Sequence, residues 1–389
     1  MTVLNVSATQ LAPADDPQLE TPLLLLDESR MDANIARMRA QIARMGVSFR
    51  PHVKTNKCLE VSRRLMTSEE GPITVSTLKE AEYFAAHGVR DIMYAVCLAP
   101  NKFEHAWRLV ESKGVRLQVI VDSIELATLL VQFARQRKAQ FEVLIEIDSD
   151  DHRSGLKPDA ADLIAVADVL RDGGMVMAGV MTHAGSSYEY DTDEGLRRIA
   201  EQERAAVVHA ATRLREQGHA CPVVSVGSTP TALFAEHLEG VTEVRAGVFV
   251  FFDLVMAGIG VCRVDDVALS VLATVIGHQP EKNWTLIDAG WMAMSRDRGT
   301  SRQKVDQGYG VVCGLDGQPV ADLILVGANQ EHGIIASRSG VHARVHLPVG
   351  TQLRVLPNHA CATAAQYPRY HVLGRDQAVR ETWERISGW

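Results

Sequence analysis

The chain has 389 residues, 46% of them hydrophobic and 23% charged, and a formal net charge of −8. Those proportions are those of an ordinary globular protein and exclude disordered and low-complexity classes. The acidic balance, with no long Lys/Arg cluster, excludes a nucleic-acid partner and points to small molecules.

The first 20 residues lack a basic start followed by an apolar core and read as a polar lead-in, not a signal peptide. An apolar strand is expected at Pro22–Leu26, able to join either of the units described below, and then a helix over Met31–Met45 with apolar residues at helical spacing. Eight short β-branched runs follow: Val47–Val53, Ile73–Ser76, Asp91–Cys97, Leu117–Asp122, Glu142–Asp148, Met177–His183, Val223–Gly227 and Glu243–Val250. Eight is the strand count of a closed parallel barrel. Most intervals carry helical periodicity: Leu59–Met66, Leu78–His87, Phe103–Lys113, Ile124–Arg137, Ala160–Arg171 and Leu196–Gln217. Gly88, Gly114, Gly173 and Gly218 stand where helices should stop, as residues that take a left-handed cap cheaply.

The longest apolar stretch, 248–262, contains Asp253 and is shorter than the roughly 20 residues a membrane span needs, so no membrane is implied. Beyond it the pattern changes to short alternating runs between Gly, Pro and Asp turns: Ala268–Gly277, Trp284–Asp288, Leu323–Gly327, Ala343–Leu347 and Gln352–Leu356. That is the signature of an all-β unit. The expected architecture is therefore α/β, a (β/α)8 TIM-type barrel over 28–262 with an all-β domain formed by 1–27 and 263–389. The cysteines, Cys58, Cys97, Cys221, Cys262, Cys313 and Cys361, have no paired spacing. They read as reduced thiols in a cytoplasmic protein.

In such barrels the functional face is the C-terminal end of the strands. Lys54 follows the first run, where partial desolvation would lower its pKa and make it a nucleophile toward carbonyls; the alternative is a solvated surface lysine. After the fifth run comes Asp148 to Gly155 with Arg153, and the sixth ends Thr182-His-Ala-Gly-Ser-Ser-Tyr188. The seventh ends Gly227-Ser-Thr229 and the eighth carries Arg245 to Phe249, in the region where barrels commonly hold a phosphate. Each has a plainer reading: Ser228 and Thr229 as a helix cap before Pro230, His183 as a core histidine, Arg153 as a surface ion pair. Together, an amine for a Schiff base, a phosphate anchor and ring contacts are what pyridoxal phosphate requires.

RPHVKTNK at 50–57, STLKEAE at 76–82, Arg153 to Gly155, THAGSSY at 182–188, GSTPT at 227–231, EVRAGVFVFFD at 243–253 and PNHACAT at 357–363 resemble the fold-type III pyridoxal phosphate enzymes. The likeness is to the alanine racemase barrel class, in its D-threonine aldolase and D-serine dehydratase branch, and it spans about Thr21 to Leu373. It implies that Lys54 holds the cofactor covalently, that Arg153 bonds its phenolic oxygen, and that Tyr188 contacts it. Ser228, Thr229, Gly247 and Val248 fall where the family cradles the phosphate, and Phe249 stands where a tyrosine is common.

His359-Ala-Cys361 offers two metal-ligand types two residues apart, which on a strand would share one face; taken alone such a pair is more often structural. The resemblance implies a two-ligand metal site, with Cys361 where the aldolases have an aspartate. A thiolate with an imidazole suits Zn2+. The resemblance thus implies a homodimeric dehydratase giving a 2-oxo acid and ammonia from a D-amino acid such as D-serine or D-threo-3-hydroxyaspartate. The alternatives are an aldolase yielding glycine and an aldehyde, a racemase, a cofactor-binding protein without turnover, and a metal-dependent barrel hydrolase.

Overall fold

The computed structural model describes residues 19–339 and 347–389. Two compact units form, one from residues up to Ile35 with Val248–Ser387, the other from Ala36–Gly247 with the last two residues. Strand β1 (Leu23–Asp27) and the start of helix α1 (Glu28–Met45) belong to the first unit.

The second unit is a ring of parallel strands, β2 (Ser48–Phe49), β3 (Ile73–Val75), β4 (Asp91–Cys97), β5 (Arg116–Val121), β6 (Glu142–Ile147), β7 (Val176–Thr182), β8 (Val223–Val226) and β9 (Glu243–Val244). Their order is β2-β9-β8-β7-β6-β5-β4-β3, and a parallel bridge between His52 and Thr74 joins the two ends. Between them run α2 (Leu59–Leu65), α3 (Leu78–Ala86), α4 (Phe103–Lys113), α5 (Ile124–Arg137), α6 (Asp162–Asp172), α7 (Asp193–Glu216) and α8 (Thr229–Phe234). The expected alternation is present because the strand residues bury and the helices bury one stripe: in α5, Ala127, Leu130, Val131 and Ala134 face inward at helical spacing. Thr77, Ser123 and Thr192 start α3, α5 and α7 by accepting backbone N–H groups, contacts worth about 1 kcal/mol each.

The first and last expected barrel strands are shorter than their β-branched runs. The first run forms a ladder over β2 and a single bridge at His52, and Lys54 sits in the turn that follows. The last is paired only over β9, because Gly247 packs with its Cα against the His52 carbonyl, where a Cβ would lie 2.8 Å from the oxygen. Gly114 caps α4 in the left-handed region at φ 62° as expected, whereas Gly173 is right-handed at φ −80° and Gly174 makes the turn at φ 79°. Gly173 is needed for space: a Cβ there would meet Val131 at 2.3 Å.

The first unit contains α9 (Leu254–Gly258), β10 (Leu269–Gln279), β11 (Trp284–Ile287), α10 (Trp291–Met294), β12 (Gly310–Cys313), β13 (Pro319–Ala328), β14 (Gly333–Ser337), β15 (Gln352–Pro357), α11 (Ala360–Ala364), β16 (Arg369–Leu373) and β17 (Val379–Glu384). Its nine-stranded sheet runs β11-β14-β13-β12-β15-β10-β1-β16-β17, with β11 also paired to β10. β1 is antiparallel to β10 and parallel to β16, which assigns the early apolar strand to this sheet. Strands β12, β14, β16 and β17 were not expected from alternation. The lead-in 1–18 and most of the expected strand Ala343–Leu347 lie outside the described residues. No helix among the described residues is long and apolar enough to cross a membrane.

Candidate active site

The turn Val53–Asn56 carries Lys54 at the C-terminal side of β2, and the residue is exposed. The turn is short and fixed at its root: Lys57 N–H donates to the Val53 carbonyl at 2.8 Å, and Val53 N–H to the Thr74 carbonyl at 2.9 Å. His52, just before it, accepts the Lys54 N–H on Nδ1 at 3.4 Å and meets Ser76 Oγ through Nε2 at 3.4 Å.

His183, after β7, donates from Nδ1 to the Gly227 carbonyl at 2.6 Å, leaving Nε2 as the lone-pair nitrogen. Burial first, then the Lys54 charge, hold both His52 and His183 well below the usual histidine range, and Arg153 and Arg245 act the same way on each. Two neutral imidazoles therefore stand among three cations, an environment suited to an anionic, aromatic ligand. His52 and Arg245 were outside the set of residues expected from sequence.

Arg153 owes its place to the loop after β6. Asp148 N–H donates to the Leu156 carbonyl and Leu156 N–H to the Glu146 carbonyl, both at 2.9 Å, folding the loop back on its own strand. Gly155 makes that possible at φ 112°, since a Cβ would lie 2.5 Å from the Asp148 nitrogen. Arg153 Nη2 is then 3.7 Å from buried Glu146. Cys97, Asp122 and Glu146 form a group of potential ligand atoms within 4.8 Å of one another. Burial, then the Glu146 and Asp122 charges, push the Cys97 thiol up, so it stays protonated and donates to Glu146 at 3.5 Å.

The loops after β7 and β8 are tied from below by α7. Glu203 falls on its apolar stripe with Leu196, Ile199, Ala200 and Val207, and is 1% exposed. Its Oε1 accepts Ala184 N–H at 2.8 Å and Gly227 N–H at 3.2 Å. Ser228 is buried. It caps α8, its Oγ accepting Thr231 N–H at 3.2 Å within a reciprocal capping box, and also meets Ser187 Oγ at 3.0 Å. Thr229, the first residue of α8, is buried, and Tyr188, in the 3-10 turn Gly185–Glu189, is 36% exposed. Gly247 presses on the Lys54 turn, where a Cβ would also meet Thr55 Oγ1 at 3.2 Å. Val248 and buried Phe249 belong to the sheet unit, in the 3-10 turn Val248–Val250.

The second cluster lies wholly in the sheet unit. His359 and Cys361 are not on a strand: β15 ends at Pro357, His359 is the extended N-cap of α11, and Cys361 lies within that helix. The change from extended to helical backbone still brings the pair together, and the Cys361 side chain hydrogen-bonds the His359 ring. His359 Nδ1 donates to Asp297 Oδ2 at 2.7 Å. Burial opposes the ring's charge, but Asp297, Cys361 and Asp253 outweigh it and raise His359 to about 11. Buried Asp253 accepts Ala360 N–H, between the two, at 2.9 Å. An imidazole oriented by a carboxylate, with a thiol hydrogen-bonded to the same ring, is a donor set that suits a soft divalent cation.

Residues 26–255 match the family model of the alanine racemase N-terminal domain, and 268–373 that of the serine dehydratase domain. Over 375 residues the chain is 56% identical to D-threo-3-hydroxyaspartate dehydratase of Delftia sp. (strain HT23), covering 95% of this chain and 98% of that one. A solved histidine-to-alanine variant of D-threo-3-hydroxyaspartate dehydratase superposes with a TM-score of 0.93 at 55% identity, over 96% of both chains. A cysteine-to-alanine variant in the metal-free form gives 0.93 at 55%, over 96% of this chain and 99% of that one.

Proposed function

The chain belongs to the alanine racemase N-terminal domain family, with a serine dehydratase domain behind it, and from that premise we propose a pyridoxal phosphate- and zinc-dependent dehydratase of D-3-hydroxyamino acids. D-serine and D-threo-3-hydroxyaspartate are the substrates to assay, and a 2-oxo acid with ammonia the products. The relative that supports the second substrate is the 56% identical D-threo-3-hydroxyaspartate dehydratase. We keep the barrel domain at 28–262 and the metal-carrying domain at 1–27 with 263–389.

The residues fit both groups. For pyridoxal phosphate, the barrel unit offers an accessible amine on Lys54, cations on Arg153 and Arg245, two neutral imidazoles, and a Cβ-free approach at Gly247. Tyr188, Ser228, Thr229 and Val248 complete the proposed contacts, Ser228 also building the cap of α8. For zinc, His359 and Cys361 would be the protein ligands. In the solved relatives the substituted histidine and cysteine are likewise two positions apart.

When bound, the cofactor supplies an electron sink for the substrate's Cα–H bond and the metal a Lewis acid for its β-hydroxyl. The chain supplies the rest. Lys54 Nζ would hold the cofactor and, as a free amine, would be the base that takes the proton from Cα. His183, its Nδ1 proton committed to Gly227, presents an uncharged ring, so it adds no fourth cation to the site. Arg153 is kept at its station by Glu146.

The observation that carries the dehydratase reading is Cys361 hydrogen-bonded to His359, because this thiol occupies the position that in the aldolase branch is an aspartate. A homodimer and a reducing, cytoplasmic setting complete the proposal, the latter supported by cysteines with no paired spacing. The test is an end-point assay on D-serine, D-threonine and D-threo-3-hydroxyaspartate. Ammonia with a 2-oxo acid is expected; glycine with an aldehyde from the same substrates would replace dehydratase by aldolase.

A further inference from the structure

Asp297 is separated from His359 by 62 residues, yet both of its carboxylate oxygens are committed near that histidine. Oδ2 takes the Nδ1–H of His359 at 2.7 Å, and Oδ1 takes Gly299 N–H at 2.7 Å. The backbone is pinned as well: Asn358 Nδ2 donates to the Asp297 carbonyl at 3.1 Å and to the Gly308 carbonyl at 2.7 Å, and Asn358 Oδ1 accepts from Thr300 Oγ1 at 3.2 Å. Asn358 thus clamps the 297–308 loop to the residue next to His359. Two positions before Asp297, Ser295 has φ 74° and ψ 167°, a region populated almost only by glycine. A serine held there means the surroundings dictate the loop's path, and that path ends with a carboxylate on the ring of His359.

We propose that Asp297 is a positioning residue for a divalent cation: it fixes the proton of His359 on Nδ1 and the ring plane, so that Nε2 is aimed with Cys361 Sγ at one point. This rests on the reading of His359 and Cys361 as ligands and adds a third residue to it. A ring nitrogen bonded to a carboxylate is a stronger and better oriented ligand through the other nitrogen, and losing such a partner typically weakens metal affinity by about 10–100-fold. Asp253 plays a different part, capping α9 through Met256 N–H and holding Ala360 N–H, so its removal would disturb two helix starts.

The experiment uses the full chain with pyridoxal phosphate bound, stripped of metal by a chelator, and titrated with Zn2+ in competition with a chromogenic chelator. Wild type is compared with Asp297→Asn, Asp297→Ala, His359→Gln and Cys361→Ser. The proposal expects Asp297→Ala to bind Zn2+ about 10–100-fold more weakly, with cofactor absorbance and thermal midpoint unchanged. Asp297→Asn, the same shape with an acceptor but no charge, should fall between, and with Co2+ in place of Zn2+ its visible ligand-field bands should shift. Should Asp297→Ala fail to fold, Asp297→Asn decides: wild-type affinity and unshifted Co2+ bands overturn the proposal. Asp297→Ala within twofold of wild type, while His359→Gln and Cys361→Ser lose binding, overturns the positioning role alone. Binding unaffected in His359→Gln and Cys361→Ser overturns the ligand reading and this inference with it.

Discussion

Lys54 is an exposed residue whose charge is felt by His52 and His183, so its loss should be chemical and not structural. Lys54→Ala is expected to remove the cofactor's visible absorbance and the dehydratase activity while leaving the thermal midpoint within a degree or two; an unchanged band would remove the covalent role. The imidazoles carry a pH signature. Their folded pKa values lie below the unfolded value of about 6.5. The unfolded chain therefore binds more protons, and the contribution is present above about 6.5 and lost as pH falls. In metal- and cofactor-free protein, the stability difference between wild type and His183→Gln should shrink below pH 6.5 by about 1.4 kcal/mol per pH unit. Urea melts from pH 7.5 to 5.5 measure it. Taking a difference matters, because burial raises Glu203 and Asp253, which contribute with the opposite sign.

Helix α7 does more than cover the barrel: one of its buried positions is an acid that holds two loops. Glu203→Ala strands the Ala184 and Gly227 N–H groups, at about 1–3 kcal/mol each, and should loosen both loops. Glu203→Gln keeps one acceptor and should lose less than half as much stability in urea melts, with the larger change in cofactor affinity confined to Glu203→Ala. Strand β8 ends on a glycine for a reason of space. At Gly227, φ is 153° and a Cβ would lie 1.7 Å from the Arg245 carbonyl oxygen. Gly227→Ala is expected to cost about 4 kcal/mol or more, at the extreme for one substitution. Gly46→Ala, also at positive φ but with nothing within 4 Å, should cost only about 1–2 kcal/mol.

For the molecule as a whole, the chain mass is 42.6 kDa, and the proposed homodimer should give twice that by light scattering on a sizing column; a monomeric mass with full activity would remove the dimer. Complete metal removal is expected to abolish dehydration while leaving that mass and the cofactor absorbance unchanged, and Zn2+ should restore turnover.

The chain's own order encoded what is local. Alternating β-branched runs and apolar stripes at helical spacing marked all eight barrel strands and six of the seven helices α2–α8, because backbone hydrogen bonding and face burial follow periods of two and about 3.6 residues. Lys54 and Arg153 stood out at the ends of such runs, whereas His359 and Cys361 were singled out by the resemblance of their motif, and the roles of all four are proposals. Strand ends were less so: β2 and β9 stop early because Gly247 and the Lys54 turn pack on each other. Glu203 left one readable trace, an acid on an apolar stripe. The role of Asp297 could not be read, since its partner is 62 residues away. The membership of β1 in the sheet depends on pairing with Leu269–Leu272 and His371–Leu373. Such placements come from closing long loops and burying what remains, a balance summed over the whole chain that no short window contains.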